Sequence, residues 1–336
     1  MASASQTKRP HFVPACYLRA WSDDKDQVAV RRRGATKVFT PAVVNVAVEA
    51  GVYGRASDGQ VREEMFEHME NIWPDLRNAL LDRGGRLPAP QRDAISVFAA
   101  LQFIRTRESL AQAEFLSAFA AFSSQRPVSR DAVRHFLTEQ HLHFVPTDAE
   151  VEGAWTFACV VLNQREPPTK DETMAMLVDV AVHQIGPRLK RMRWTVEHCR
   201  KPNLFTSDRP VMCWRPRSAR DAYEGIGVDS AEEVRLPLTP RDLLVMRPTG
   251  DDAGVQEVQP KRFARVNAGV MSQCHEFLVA TPPRSRELEL LPVARHRPTL
   301  RFNVGPGTRV MPDGREEPMG DIVHMWIPTH AAAARR

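Results

Sequence analysis

The stretch that decides the fold runs from Glu172 to Cys199 and reads ETMAMLVDVAVHQIGPRLKRMRWTVEHC. Up to Arg191 its apolar residues Met176, Leu177, Val180, Ile185 and Leu189 recur at the spacing of one buried helix face, so a helix is expected over Glu172–Arg191. At WTVEHC the character changes. From there the chain is a series of short β-rich runs: LFTSDRPVMCW, VRLPLTP, DLLVMRP, HEFLVATP and HMWIP, punctuated by Pro, Asn and Asp.

Upstream of that boundary the pattern is helical. Met65, Met69, Ile72, Leu76 and Leu80 mark a helix over Val61–Arg83, with a kink or break expected at Pro74 and Gly84-Gly85 ending it. Further helices are expected over Pro90–Thr106, Glu108–Ser123 and Ser129–Glu139. The short apolar run Trp155–Leu162 suits helix or strand equally. Nearer the start, Gln27–Arg32 and Lys37–Thr40 read as a strand pair turning at Gly34. Helices followed by strands argue an α+β fold, a helical N-terminal and middle part packed on a mostly antiparallel, strand-rich C-terminal part. We expect a single globular domain over residues 10–330, helical over about 55–191 and strand-rich over about 192–330, with a disordered stretch at 1–9 and a frayed tail at 331–336.

Composition narrows the function classes without choosing one. The chain has 336 residues, 43% hydrophobic and 26% charged, and a net charge of +5. The basic runs (Arg31-Arg32-Arg33, Arg188–Arg193, Arg335-Arg336) are short, and a dedicated nucleic-acid binder concentrates charge on one face. The five cysteines, Cys16, Cys159, Cys199, Cys213 and Cys274, form no CxxC pair and suit reduced thiols. No apolar run reaches the roughly 18 residues of a membrane span, and the first residues lack a signal-peptide core, so a cytoplasmic protein without a membrane partner is expected.

Six segments in order resemble a known family. They are HFVPACYLRAW (11–21), the helix with Glu63 and Glu70 seven apart, FAALQFIRTRE (98–108), LFTSDRPV (204–211), LPLTPRDLLV (236–245) and VNAGVMSQCHEFLVA (266–280). The set resembles the bacterial and fungal domain-of-unknown-function family numbered 4238, over roughly residues 10–282. Arg209 stands where Asn is common in that family, and Trp21 where Phe is common. The resemblance implies a set of positions and no activity.

The candidate chemistry rests on seven residues. His11 in HxxPxxYL suits a metal ligand or general base, or a structural imidazole bonded to backbone. Glu63 and Glu70 project on one side of their helix with Glu67, an arrangement that holds a cation, an Arg, or water. Gln102 and Arg105 are a polar pair in an apolar helix; Arg105 calls for a carboxylate such as Glu70 or Asp208, or for a bound anion. Ser207 and Asp208, before Pro210, either cap a tight turn or face a cleft as substrate contact and as metal ligand or base. Two function classes follow. In one, a metal-dependent phosphodiesterase or nuclease holds Mg or Mn with His11, Glu63, Glu70 and Asp208. His11, Glu70 and Asp208 act in its chemistry, while Gln102, Arg105 and Ser207 contact the substrate. In the other, a metal-free binding or sensor protein grips a small anion with Arg105 and Gln102. The partner is a nucleic acid or a phosphorylated small molecule in the first case. A third reading makes all these residues architectural ties. GxGxxG, a Walker loop, HExxH and GxSxG are absent.

Overall fold

The computed structural model describes residues 11–48, 57–106, 118–123, 128–140, 145–160, 169–216, 226–293, 301–310 and 315–326, with Ser109 and Phe115. The fold is α+β, with helices in the N-terminal and middle parts and antiparallel-rich sheets toward the C-terminus. The chain divides into two compact units, one of residues 1–110, 171–220 and 226–297, the other of 111–170, 221–225 and 298–336. No helix among the described residues is long and apolar enough to cross a membrane.

The first unit opens with α1 (Ala15–Leu18) and β1 (Ala29–Arg32), followed by two long helices, α2 (Ser57–Arg83) and α3 (Ala89–Ile104). Helix α2 continues through Pro74, so the expected break does not occur. The proline does remove the N–H that the Glu70 carbonyl would otherwise accept. The buried stripe of α2 is Phe66, Met69, Trp73, Leu76 and Leu80, while Met65 and Ile72 of the expected stripe are only half-buried. The aromatic residues take the inner positions, and Trp73 stacks on Phe98 of α3 with ring centroids 3.7 Å apart. Gly84 and Gly85 end α2 as expected. Gly84 has φ 61°, and a Cβ on Gly85 would lie 2.0 Å from the Trp194 carbonyl oxygen, so the sheet is packed directly on that turn.

The helix that begins the deciding stretch is not continuous. It forms α4 (Lys170–Val180), a π-helical segment Ala181–Ile185, and α5 (Gly186–Arg191). Pro187 cannot donate to the carbonyl four residues back, and the bonding re-registers through the wider turn.

Beyond Arg191 the main sheet has five strands in the order β4-β5-β6-β2-β7: β2 (Arg193–His198), β4 (Met212–Trp214), β5 (Glu233–Thr239), β6 (Asp242–Arg247) and β7 (Val255–Glu257). All neighbours are antiparallel except β2 and β7. The pleat gives the sheet two faces. Trp194 and Val196 align with Met246 and Leu244 and with Val234 and Leu236, and this face joins the core of α2, α3 and α5. Leu243, Val245 and Met212 point the other way, onto Phe263, Val266 and Val270 of helix α6 (Pro260–Gln273). A three-stranded sheet, β1-β8-β3, is formed with β3 (Thr206–Ser207) and β8 (Phe277–Ala280). Residues 29–32 ladder with β8, and the expected pairing with 37–40 is present as the antiparallel Val30–Phe39 bridge, continued in the same register by Gln27–Ala42. A short helix α7 (Ser285–Leu290) follows β8.

The second unit contains α8 (Arg130–Gln140), α9 (Asp148–Val160) and a hairpin of β9 (Arg301–Val310) and β10 (Glu316–Trp326). The ambiguous run at Trp155 is helical as far as Val160, and residues 161–168 lie outside the described ones. Phe115, Phe119, Val133, Leu137, Val151 and Ala154 make a small core of their own. The expected helix 108–123 is described only at Ser109, Phe115 and 118–123, all helical.

Candidate functional site

Helices α2 and α3 run antiparallel with facing stripes. The Arg105 guanidinium, at the C-terminal end of α3, lies 4.1 Å from the Phe66 ring centroid, and its Nη1 donates to Glu70 Oε1 at 3.1 Å. Further along the seam Phe98 meets Trp73. Gln102 lies between Phe98 and Arg105 on the same face of α3, because spacings of four and three return to one side of a helix. On α2 the matching series is Phe66, Glu70, Trp73 and Arg77.

The opening motif closes over one end of this seam. Arg105 Nη2 donates to the His11 carbonyl oxygen at 2.6 Å. His11 bridges Val48, and Phe12 N–H donates to the Ala47 carbonyl. Ala47 sits at φ 57°, where a Cβ is strained, so the loop facing His11 is held against its preference. Pro14 starts α1, whose Tyr17 ring lies 6.3 Å from that of Trp73, and the Tyr17 hydroxyl pairs with Thr206 Oγ1 at 2.8 Å. Trp21 Nε1 donates to the Leu204 carbonyl at 3.0 Å. The HxxPxxYL and LFTSD segments are thus stitched to each other.

The electrostatics of the cluster favour an anion. Burial lowers the His11 pKa; a hydrogen bond to the Val44 backbone opposes this, and Arg105 and Arg19 add to it, so the imidazole is neutral at neutral pH. Burial pushes the Cys16 thiol up to about 12, with Glu70 adding to the rise and Arg105 and Arg19 opposing it. Cys16 is therefore a thiol and not a nucleophilic thiolate. Three guanidiniums, Arg19, Arg77 and Arg105, act on or beside this group. Asp26 pairs with Arg19 at 3.4 Å and Glu70 with Arg105. Arg77 has no carboxylate among the described residues. It is half-buried, its Nε is buried without a hydrogen-bond partner, and burial lowers its pKa. Two more buried polar atoms lack partners on this seam, Gln102 Oε1 and Trp73 Nε1.

Asp208 and Ser207 belong to a different arrangement. Asp208 is 1% exposed, and its two carboxylate oxygens accept the backbone N–H groups of His275 at 2.9 Å and Glu276 at 2.6 Å. Burial raises its pKa to about 6, against the pull of those two bonds; Glu276 adds to the rise and Arg209 opposes it. Ser207 Oγ accepts the Arg209 N–H and donates to the Arg209 carbonyl, each at 3.1 Å, the closed turn that its sequence permits.

The structure therefore joins His11, Glu70 and Arg105, places Gln102 on the same seam, and turns Ser207 and Asp208 into the β3 turn and the α6–β8 connection. The Glu63 side chain lies outside the described ones. Among the described residues no group of three His, Cys, Asp or Glu side chains is arranged to hold a metal ion. The sequence reading passed over Cys16, Trp73 and Arg77. The last two were within reach, because they continue the 66, 70 spacing of the inner face.

No curated protein and no solved structure matches the chain. A family model does, over residues 9–284, and this span, which holds every residue of the cluster, shows that the chain belongs to the family described as protein of unknown function (DUF4238).

Proposed function

We infer that the chain is a binding protein for a small anionic ligand, phosphate-bearing in chemistry, held at the α1–α2–α3 cluster without a resident metal. Arg77 carries the reading: a half-buried guanidinium with no carboxylate partner among the described residues is costly unless an anion joins it. Arg105 is already fixed by Glu70, His11 and Phe66, and so serves as a pre-set second cation. Gln102 Oε1 gives an acceptor to the neutral part of the ligand.

A hydrolytic reading draws on one observation, the neutral His11 imidazole beside Arg105, which suits a general base. The metal-dependent form of it draws less, because both oxygens of Asp208 are engaged by backbone.

A thermal-shift titration with inorganic phosphate after chelator treatment tests the proposal. A ligand at 100 times its Kd stabilises by about 2.7 kcal/mol, which raises Tm by a few degrees. We expect that rise in the wild type and its loss in Arg77→Gln. A rise that needs Mn²⁺ or Mg²⁺ and is lost in Glu70→Gln would replace this reading with the hydrolase.

A further inference from the structure

A second concentration of charge lies at the C-terminal end of β2, on residues the ligand site does not use. Four loops meet there and are hydrogen-bonded to one another. Cys199 N–H donates to the Arg241 carbonyl at 2.8 Å, and Leu204 N–H to the Pro240 carbonyl at 2.9 Å, joining the β2–β3 connection to the β5–β6 turn. Val258 N–H donates to the His198 carbonyl at 2.8 Å, which brings in the loop before α6. Arg284, at the end of the turn that leads into α7, bonds the Pro202 carbonyl and Asn203 Oδ1 and lies over the Phe205 ring.

Each loop, or the first turn of the helix it leads into, presents a cation to solvent: Lys201 and Arg241 on loops, Lys261 on α6 and Arg286 on α7 are exposed, and none is in an ion pair among the described residues. The acids beside them are engaged. Asp242 is held by His198 Nδ1 at 2.7 Å and Thr239 Oγ1 at 2.5 Å, Glu257 by Arg200 at 2.7 Å, and Glu287 by Arg284. Glu289 accepts the Val38 N–H at 3.5 Å. At the opposite end of β2, the exposed Arg83, Arg86, Arg191 and Arg193 are interleaved with exposed Asp82 and Asp251, so charge there is mixed.

We propose that the cluster of Lys201, Arg241, Lys261 and Arg286 is a docking surface for the phosphate backbone of duplex nucleic acid, bound without regard to sequence. Cations without an ion pair among the described residues, spread over two loops and the first turns of two helices at a rigid sheet end, match a repeating row of phosphates. Single-strand binders add aromatic platforms on which bases stack. Among the described residues the one exposed aromatic is Phe39, outside these loops, and Phe205 is buried beneath Arg284. This selects backbone contact and a duplex.

The test is fluorescence anisotropy of a labelled 20-base-pair duplex of arbitrary sequence with the full chain at several KCl concentrations. Four phosphate contacts give a log–log salt slope of about −3.6, a loss of roughly 100-fold in affinity between 50 and 200 mM salt. Replacing Lys201, Arg241, Lys261 and Arg286 together by Gln abolishes this binding. The same number of Gln substitutions at Arg83, Arg86, Arg191 and Arg193 removes equal net charge and leaves most of it. If the quadruple variant is unstable, the pairs Lys201/Arg286 and Arg241/Lys261 each remove about half of the slope. Equal losses in the two quadruple variants overturn the proposal, as does a salt slope near zero. So does binding to polyglutamate or to phosphatidylserine vesicles with none to the duplex. Arg77→Gln leaves duplex binding unchanged, so the ligand site and this surface stand or fall separately.

Discussion

Asp208→Asn separates a carboxylate that serves architecture from one that serves chemistry, and the observable is a pH slope. In the folded chain burial raises the Asp208 pKa from 3.8 to about 6. A carboxyl with a raised folded pKa contributes its full stability below the unfolded pKa and loses it as pH rises through the folded one. From pH 7.5 to pH 5 the wild type therefore gains on the order of 1 kcal/mol from this group, while Asn titrates in neither state. The static effect of the substitution is small by comparison with its parts. Asn keeps one acceptor oxygen for the two N–H donors of His275 and Glu276, and a donor left unpaired costs about 1–3 kcal/mol. Removing the buried charge returns about the same amount. Urea unfolding followed by the fluorescence of Trp21, Trp73 and Trp194, all fully buried, measures both proteins at both pH values. Taking the difference between them cancels groups of opposite slope such as His11, whose lowered pKa makes the fold less stable as pH falls through 6.5. A stability difference that stays constant between pH 7.5 and 5 refutes the assignment of a strained, backbone-bound carboxyl.

Two further outcomes test the scaffold. Gly85→Ala places a methyl 2.0 Å from the Trp194 carbonyl oxygen, and we expect a loss of about 3 kcal/mol in urea unfolding; a change under about 0.5 kcal/mol contradicts the packing of α2 on β2. Burial alone would raise the Glu233 pKa, but Arg235, Arg262 and Arg247 overcome it and hold the carboxylate at about 2, so its stability contribution is present above pH 4.5 and lost as pH falls toward 2. Between pH 5.5 and 3.5 the wild type should lose on the order of 1 kcal/mol relative to Glu233→Gln, and parallel acid profiles would show that the ion cluster does not tune this group.

What the sequence could reveal depended on the range of the interactions that decide each feature. The change at Arg191 is local, since helix spacing stops and strand-like runs begin, and the α+β reading rested on it. Gly84-Gly85 is local too, and its conformational demand is visible in two letters. The pairing across Gly34 is present at Val30–Phe39 and Gln27–Ala42, but the second partner of residues 29–32, β8, lies more than two hundred residues away, and periodicity carries no information about partners. Met69, Leu76 and Leu80 of the α2 stripe are buried as expected, but Met65 and Ile72 stand where Phe66 and Trp73 are buried, because both pairs fit the spacing and only packing against α3 decides which are inside. The same limit applied to the polar residues. Arg105 was recognised as a cation in need of a partner, with Glu70 among two named, and the bond to Glu70 is there. Asp208 was read as a group that either caps or reacts. Its oxygens go to N–H groups near residue 275, a contact that no spacing around residue 208 can announce. The network of Glu197, Glu233, Arg235, Arg247 and Arg262 went unnoticed for the same reason. Four of its members alternate along β2, β5 and β6 on the face turned to α6, so in sequence each looks like the solvated half of a strand, and Arg262 reaches them from α6 itself. A helix covering that face converts outward-looking charges into buried ones, and the charges then have to satisfy one another. Arg77 is the exception, a half-buried cation that no carboxylate reaches among the described residues, and that difference from five mutually paired groups is why we propose the anion site on α2 and not on the sheet.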